Sequence, residues 1–194
     1  MPLIALTGNL ASGKSTILRF FKNKGAIVFD TDKEIHYYYR NKRSLVYRKI
    51  AAAFPECLKA GVISRKILAA VVFSDKFKLK KLEQIVHPVV IKDLLSWAKL
   101  NRVEGKIYVA EIPLLFEKKI TGYFEKIILV AVKRPVLIQR IIKKYGFSKK
   151  ETIDRLSLYR PIREKIKGSD FVIDNSSNLK RLKKEVDLLW KRIK

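Results

Sequence analysis

The stretch Gly8-Asn9-Leu10-Ala11-Ser12-Gly13-Lys14-Ser15-Thr16 follows a short apolar run, Leu3 to Leu6. It matches the pattern G-x-x-x-x-G-K-[ST] completely. Glycines let such a loop turn its backbone N–H groups toward phosphate oxygens, and the helix that follows adds the positive end of its dipole. The pattern predicts that residues 8–16 bind the phosphates of ATP or GTP. It also predicts that Lys14 reaches the β- and γ-phosphates and that the Ser15 hydroxyl is a ligand of Mg²⁺.

Length and composition indicate one globular domain. The chain has 194 residues, of which 48% are hydrophobic, and this is enough for a sizeable core. The single cysteine, Cys57, excludes an internal disulfide and fits a reducing compartment. The sequence shows no targeting segment and no apolar run of membrane-spanning length. We therefore expect a soluble, cytoplasmic protein.

The chain is strongly basic. It has 43 Lys and Arg against 18 Asp and Glu, for a formal net charge of +25. Such an excess favours a partner that carries phosphates. A compositional habit of the source genome, with lysines spread over solvated faces, accounts for it equally well. Because lysines occur in every third of the chain, with no basic tail, both interpretations remain open.

Short apolar runs rich in Val and Ile predict strands that are buried on both faces of a parallel sheet. They are Leu3–Leu6, Ala26–Phe29, Ile107–Ile112, Lys126–Val132 and Phe171–Ile173. Helical patterns between them cover Lys14–Lys24, Asp75–Val86, Pro135–Lys144 and Leu179–Ile193. The alternation predicts an α/β P-loop NTPase fold, with a five-stranded parallel sheet and helices on both faces.

The strand spacing predicts two insertions in this single domain. Roughly 75 residues without a strand signal separate the second and third strands, too many for a simple crossover. We expect a helical substrate lobe at about 33–104 and a lid at about 134–167. The core then comprises about 1–32, 105–133 and 168–194.

Acidic residues follow two of the predicted strands. If the second strand persists, alternation sends Asp30 and Asp32 to the same face. Asp32 then acts as a base or substrate ligand, or it caps a helix beginning at Lys33; chemistry alone leaves both open. Glu111 is the only acid in its apolar strand, and a buried acid needs a partner. The candidates are Mg²⁺, a bridging water or Lys14, and the alternative is a purely structural ion pair.

The second insertion carries many basic residues and, from Lys133 to Lys150, no acid. Arg140 lies on the helix predicted after the fourth strand. A guanidinium there is placed to clamp a transferring phosphoryl group. We interpret the lysines of this segment as a solvated face and Arg140 as functional.

Motifs along nearly the whole chain resemble the dephospho-coenzyme A kinase family. They include the phosphate loop, Asp30-Thr31-Asp32, and Ser64-Arg65-Lys66-Ile67-Leu68 followed by Val72-Phe73. They continue with Leu82-Glu83-Gln84-Ile85-Val86-His87-Pro88. The most specific are Ile112-Pro113-Leu114-Leu115-Phe116-Glu117 and Asp170-Phe171-Val172-Ile173-Asp174-Asn175.

The resemblance implies that ATP phosphorylates the ribose 3′-hydroxyl of dephospho-coenzyme A, with Mg²⁺. It implies that Asp32 is the base or orienting group, that Lys14 and Arg140 are the other catalytic residues, and that Ser15 binds the metal. Substrate contacts fall on Asp32, Arg65, His87, Pro113 and Leu114. Without the resemblance, we would interpret His87 as a structural residue, since a His before Pro often ends or kinks a helix.

The chain departs from the family pattern at several positions. Asn9 stands where Gly is usual, Glu111 where Asp is usual, and Tyr159 where Gln is expected. Lys144-Tyr145 replaces the Arg-Asp pair that commonly follows the lid arginine. A lysine supplies charge there but no bidentate guanidinium grip.

Two other functions compete with this one. The first is another P-loop nucleoside or nucleotide kinase. The second is a P-loop ATPase that acts on nucleic acid, suggested by the charge of +25. The dispersed basic residues and the lack of a nucleic-acid-binding motif argue against the second. We expect a monomer or weak oligomer with no specific nucleic-acid partner.

Overall fold

A central sheet forms because apolar strands bury both of their faces. The computed structural model describes residues 3–100 and 103–194. The predicted core, from residue 1, and the predicted lobe, to residue 104, therefore each include two residues outside the described ranges. The strands in chain order are β1 (Leu3–Gly8), β2 (Ile27–Asp30), β3 (Leu58–Lys59), β4 (Val62–Ile63), β5 (Tyr108–Glu111), β6 (Lys126–Ala131) and β7 (Phe171–Asp174).

In the described parts of the chain, five of these strands form one parallel sheet in the order β2-β5-β1-β6-β7. The helices are α1 (Lys14–Asn23), α2 (Thr31–Arg40), α3 (Leu45–Ala53), α4 (Arg65–Phe73), α5 (Lys76–Leu100), α6 (Arg134–Tyr145), α7 (Lys149–Ser157), α8 (Ile162–Lys167) and α9 (Leu179–Ile193). Helices α1 and α9 contact each other and bury apolar stripes against the sheet. Phe21 is fully buried there, and its ring centroid lies 5.9 Å from that of Trp190.

The carboxyl ends of the parallel strands gather polar residues at one edge of the sheet. Strand β1 ends at Gly8, β2 at Asp30 and β5 at Glu111. In the register of the sheet, Glu111 lies between Asp30 and Leu6. This edge is where an open α/β sheet binds its ligands.

A second compact unit covers Thr31–Asn101, and the first covers Met1–Asp30 with Arg102–Lys194. The second unit has its own apolar core, to which α2, α3, α4 and α5 contribute buried residues such as Tyr38, Ile50 and Val86. A short antiparallel hairpin, β3 with β4, closes beside these helices.

Local capping residues mark where the helices after β6 begin and end. Helix α6 has Pro135 in its first turn and ends at Gly146, whose φ of 70° is left-handed. Helix α7 begins with a capping box. Its Ser148 Oγ accepts from the Glu151 N–H at 3.2 Å, and the Glu151 carboxylate accepts from the Ser148 N–H at 2.8 Å.

The predicted fold class is confirmed, with all five strands in a parallel sheet. The helix predicted to end at Val86 is wrong in extent, since α5 runs through Pro88 to Leu100. Of the two effects expected at His87-Pro88, ending or kinking a helix, the first is therefore wrong. The hairpin Leu58–Ile63 was not predicted, because its two-residue strands are too short to show alternation. Among the described residues, no helix combines the length and apolarity needed to span a membrane.

Truncation of Phe21 should be costly because its ring is fully buried between α1 and α9. We expect Phe21→Ala to lower the free energy of unfolding by ~3–5 kcal/mol. Urea unfolding followed by far-UV circular dichroism measures this. Phe77→Ala is the matched control, since that ring is 86% exposed, and it should change stability by less than ~0.5 kcal/mol. Equal losses in the two variants would contradict this account of the core.

Candidate active site

The turn between β1 and α1 has a shape that only glycine permits at two points. A Cβ on Gly8 would lie 2.6 Å from the Val130 carbonyl oxygen, and a Cβ on Gly13 would collide with the Asn175 side chain. Gly13 also has a φ of 96°, in the left-handed region. A side chain is thereby excluded at positions 8 and 13, where the backbone packs closely.

Asn175, directly after β7, fastens the turn to the sheet. Its Nδ2 donates to the Ser12 carbonyl at 2.8 Å, and its own N–H donates to the Ala131 carbonyl at 2.8 Å. Within the turn, the Ser12 N–H donates to the Asn9 carbonyl at 3.1 Å. The loop conformation is thus held by hydrogen bonds from the loop itself and from the end of β7.

Lys14 and Glu111 lie together beneath the loop. Lys14 is 7% exposed and Glu111 1% exposed, and Lys14 Nζ lies 4.0 Å from Glu111 Oε1. Lys14 Nζ also donates to the Asn9 carbonyl at 3.2 Å. The Ser15 hydroxyl donates to Glu111 Oε1 at 3.4 Å. The structure brings the predicted phosphate-binding lysine and both predicted metal-binding residues to one place.

The loop fits a nucleotide with Mg²⁺ on two observations. At Gly8 and Gly13 a Cβ would collide with Val130 and Asn175, so the turn packs against the sheet through its backbone alone. The Ser12 hydroxyl is buried and has no hydrogen-bond partner within residues 3–100 and 103–194. Ser15 and Glu111 supply oxygen ligands, the type that Mg²⁺ prefers, and Mg²⁺ sites in phosphoryl-transfer enzymes use one or two carboxylates plus substrate phosphates.

A cavity of about 290 Å³ opens beside the loop. Gly13 and Thr16 line it from the loop side, Asn175 and Leu182 from the β7–α9 side, and Arg140 from α6. The Arg140 guanidinium donates to the Ser177 carbonyl at 3.4 Å. Arg140, predicted from its position on α6, therefore lies next to the phosphate loop. A larger cavity of about 670 Å³ between α1 and α9 includes no loop residue in its lining.

Asp32 lies in the first turn of α2, which begins at Thr31. The conditional prediction that β2 persists to Asp32 is wrong, because the strand ends at Asp30. The alternative, that Asp32 caps a helix beginning at Lys33, is also wrong, since Asp32 is already inside the helix. Asp32 therefore follows the end of β2 by two residues and lies in the first turn of a helix.

Within the second unit, the charges of Asp32 and Arg65 both influence the pKa of the Tyr39 hydroxyl. Burial raises the pKa of Tyr39 to about 12, the positive charge of Arg65 lowers it, and the negative charge of Asp32 raises it. Two predicted substrate residues, from α2 and α4, thus lie within electrostatic reach of one buried hydroxyl. Arg65 is the first residue of α4, whose N-cap Ser64 accepts from the Ile67 N–H at 3.5 Å.

The remaining predicted residues fall on three segments. His87 lies in the middle of α5. Pro113 and Leu114 follow β5, where the Leu114 carbonyl accepts from the Lys118 N–H at 3.0 Å. In α6, Lys144 Nζ lies 5.2 Å from the ring centroid of Tyr145.

Comparison with known proteins decides the family. The family model for dephospho-CoA kinase matches residues 2–181. The chain belongs to the dephospho-CoA kinase family. This confirms the family that the motifs predicted.

Relatives cover the chain from end to end. The dephospho-CoA kinase of Aquifex aeolicus is 37% identical over 195 residues, covering 100% of this chain and 98% of the relative. A crystal structure from Thermus thermophilus, TT1252, is 33% identical with a TM-score of 0.80, covering 100% of this chain and 98% of that one. The dephospho-CoA kinase structure from Campylobacter jejuni is 25% identical with a TM-score of 0.66, covering 99% and 97%. The family resemblance therefore extends over both compact units.

Two residues of the site escaped the sequence reasoning. Asn175 belongs to a quoted motif, but no role was derived for it; its position after a strand at the same edge as Gly8 was the available signal. Tyr39 was not singled out from the sequence; its burial and its electrostatic interaction with Asp32 and Arg65 distinguish it in the structure.

The collision at Gly13 predicts a specific binding defect. We expect Gly13→Ala to weaken ADP binding by at least ~30-fold, because the new Cβ displaces Asn175 or the turn. Gly25→Ala is the matched control: its φ of 94° gives the same left-handed strain, but its Cβ would meet nothing within 4 Å. Isothermal titration calorimetry measures both. Equal ADP affinity in the two variants would mean that strain alone, and not the packed turn, matters.

Proposed function

We propose that the protein transfers the γ-phosphoryl group of ATP to the ribose 3′-hydroxyl of dephospho-CoA, giving CoA and ADP. The observation that carries this is the family match over residues 2–181. The close packing of the glycine turn and the proximity of Lys14 to Glu111 support it. Other P-loop nucleoside or nucleotide kinases are not favoured, since the relatives that span the chain are dephospho-CoA kinases.

The loop residues would bind the triphosphate. Backbone N–H groups between Asn9 and Ser15 face the phosphate oxygens, and Lys14 leaves the Asn9 carbonyl to reach the β- and γ-phosphates. The N-terminus of α1 adds partial positive charge. Mg²⁺ would be held by Ser15 Oγ, with Glu111 through water, and would neutralise part of the phosphate charge.

The second unit would present the acceptor. Asp32 orients the 3′-hydroxyl and accepts its proton as the phosphorus–oxygen bond forms. Arg65 supplies positive charge to the anionic substrate, and His87 with Pro113 and Leu114 complete the substrate contacts. The support is the position of Asp32 two residues after the end of β2 and its shared influence with Arg65 on the pKa of Tyr39.

Helices α6 to α8 would act as the lid of the enzyme, and Thr31–Asn101 as its substrate lobe. Arg140 lines the cavity beside Gly13, where a guanidinium can stabilise charge on the transferring phosphoryl group. Closure would exclude water, which competes as an acceptor. We further propose that the enzyme works in the cytoplasm as a monomer or weak oligomer, without a specific nucleic-acid partner.

A coupled ADP-release assay tests the function directly. With dephospho-CoA as the only acceptor, we expect turnover within the ordinary enzymatic range of ~1–10³ s⁻¹. Nucleoside monophosphates offered in parallel should give rates at background. A clear preference for a nucleoside monophosphate would overturn the proposal, and ATP hydrolysis stimulated by duplex DNA would favour the nucleic-acid alternative.

Asp32→Asn separates catalysis from binding. We expect kcat to fall by ~10²-fold or more, because the amide cannot accept the proton, while ADP binding is retained. Lys14→Ala should instead damage both ADP binding and turnover. Glu34→Gln, in the same first turn of α2, is the control and should leave kcat within about threefold of the parent value. Near-normal turnover of Asp32→Asn would remove Asp32 from this role.

A further inference from the structure

Lys165 is a charged residue without solvent exposure, in the short helix α8. Its side chain is 0% exposed. An ammonium group is costly to bury unless charges and hydrogen bonds compensate for lost hydration. The other basic residues of α8, Arg163 and Lys167, are exposed. Lys165 is therefore the buried cation of α8, and its contacts must compensate for the lost hydration.

Three groups surround the Lys165 ammonium. Its Nζ lies 2.6 Å from Glu117 Oε1 and donates to Asn9 Oδ1 at 3.0 Å. It also lies 4.8 Å from the ring centroid of Tyr159, within the range of a cation–π interaction. One contact is an ion pair, one an aromatic face, and the third is a side chain of the phosphate loop itself.

Glu117 extends this cluster to a third segment. The same Oε1 accepts from the Arg160 N–H at 2.9 Å. Glu117 lies in the turns that follow β5, and Arg160 lies in the connection between α7 and α8. The Lys165–Glu117 ion pair thus connects α8 to the segment after β5. The hydrogen bond from Lys165 to Asn9 connects α8 to the phosphate loop.

Asn9 is the junction between this cluster and the phosphate-binding lysine. Its side-chain oxygen accepts from Lys165. Its carbonyl oxygen accepts from Lys14 Nζ at 3.2 Å and from the Ser12 N–H at 3.1 Å. When Lys14 moves to a phosphate, the carbonyl loses one of these two bonds, and the side-chain contact to Lys165 remains to hold residue 9 in place.

We propose that Lys165 is a positioning residue for the phosphate loop, acting through the Asn9 side chain to keep the loop in its nucleotide-binding conformation. The inference rests on the proposed nucleotide site. It goes beyond it by giving a role to a buried ion pair outside the loop. Burial lowers the pKa of Lys165 below its ordinary value, and the hydrogen bond and negative charge of Glu117 oppose that shift.

Asn9→Ala is the first test, because it removes the contact and leaves the Lys165–Glu117 pair in place. We expect the Kd for ADP and the KM for ATP to rise about tenfold, a change of ~1.4 kcal/mol. The kcat at saturating ATP should stay within about threefold of the parent value, because Asn9 side-chain atoms do not act on the acceptor. A purely structural role would lower the melting temperature without this split between KM and kcat.

Lys165→Met and the double variant decide whether the two residues act together. Lys165→Met should weaken ADP binding at least as much as Asn9→Ala, and the double variant should bind ADP no more weakly than Lys165→Met alone. Lys167→Met, exposed in the same helix, is the matched control and should bind ADP normally. Circular dichroism and thermal melting check the fold of each variant; if Lys165→Met fails to fold, Asn9→Ala decides the question.

Two results would overturn the proposal. One is wild-type ADP affinity in Asn9→Ala. The other is a double variant whose loss of affinity is the product of the single losses, which would mean that the residues act independently. Isothermal titration with ADP needs no acceptor, so these outcomes are distinct from a failure of dephospho-CoA as substrate. Failure of the wild-type protein to bind ADP would contradict both the proposed nucleotide site and the positioning role of Lys165.

Discussion

The packing of the β1–α1 turn against the ends of β6 and β7 constrains everything else in the first unit. Gly8 meets the Val130 carbonyl and Gly13 meets Asn175, so the backbone has no room for side chains on the sheet side of the turn. The Ser12 N–H donates to the Asn9 carbonyl within the turn, and we expect the other N–H groups of the turn to be available to a ligand. The same packing sets where α1 begins, and with it the positions of Lys14 and Ser15. A parallel sheet suits this arrangement, because it brings the ends of non-consecutive strands to one edge.

Two buried cations flank the loop, and each is paired with a carboxylate from the segment around β5. Lys14 lies near Glu111, and Lys165 contacts Glu117. Buried ion pairs are weak contributors to stability, since desolvation offsets most of their Coulomb attraction. Their value here is positional: each cation also donates to Asn9, one to the backbone carbonyl and the other to the side chain. The loop is therefore held from two sides by groups that would cost stability if left unpaired.

The sheet could be predicted from sequence because strands buried on both faces leave continuous apolar runs, as in Ile127–Val130. The phosphate loop could be predicted because its glycines and Lys14 have fixed spacing. The end of β2 could not be predicted, since a shift of one or two residues decides whether Asp32 belongs to the strand or to the helix that follows. Lys165 could not be predicted either: in a chain with 43 Lys and Arg, one buried lysine has no local signature. Its burial follows from contacts with residues that are distant in sequence, Asn9 and Glu117.

The net charge of +25 bears less on catalysis than its size suggests. Exposed charges are screened over about 8 Å at physiological salt, so lysines scattered over solvated helix faces add little at the phosphate site. Lys14 escapes this screening because it is buried next to the loop, and Arg140, in the role proposed for it, would act at short range because it lines the adjoining cavity. ATP and dephospho-CoA are both polyanions, and the diffuse positive field would speed their encounter with the protein. In the proposed function, the phosphoryl-transfer step would depend on the two cations Lys14 and Arg140 at short range rather than on the dispersed surface charge.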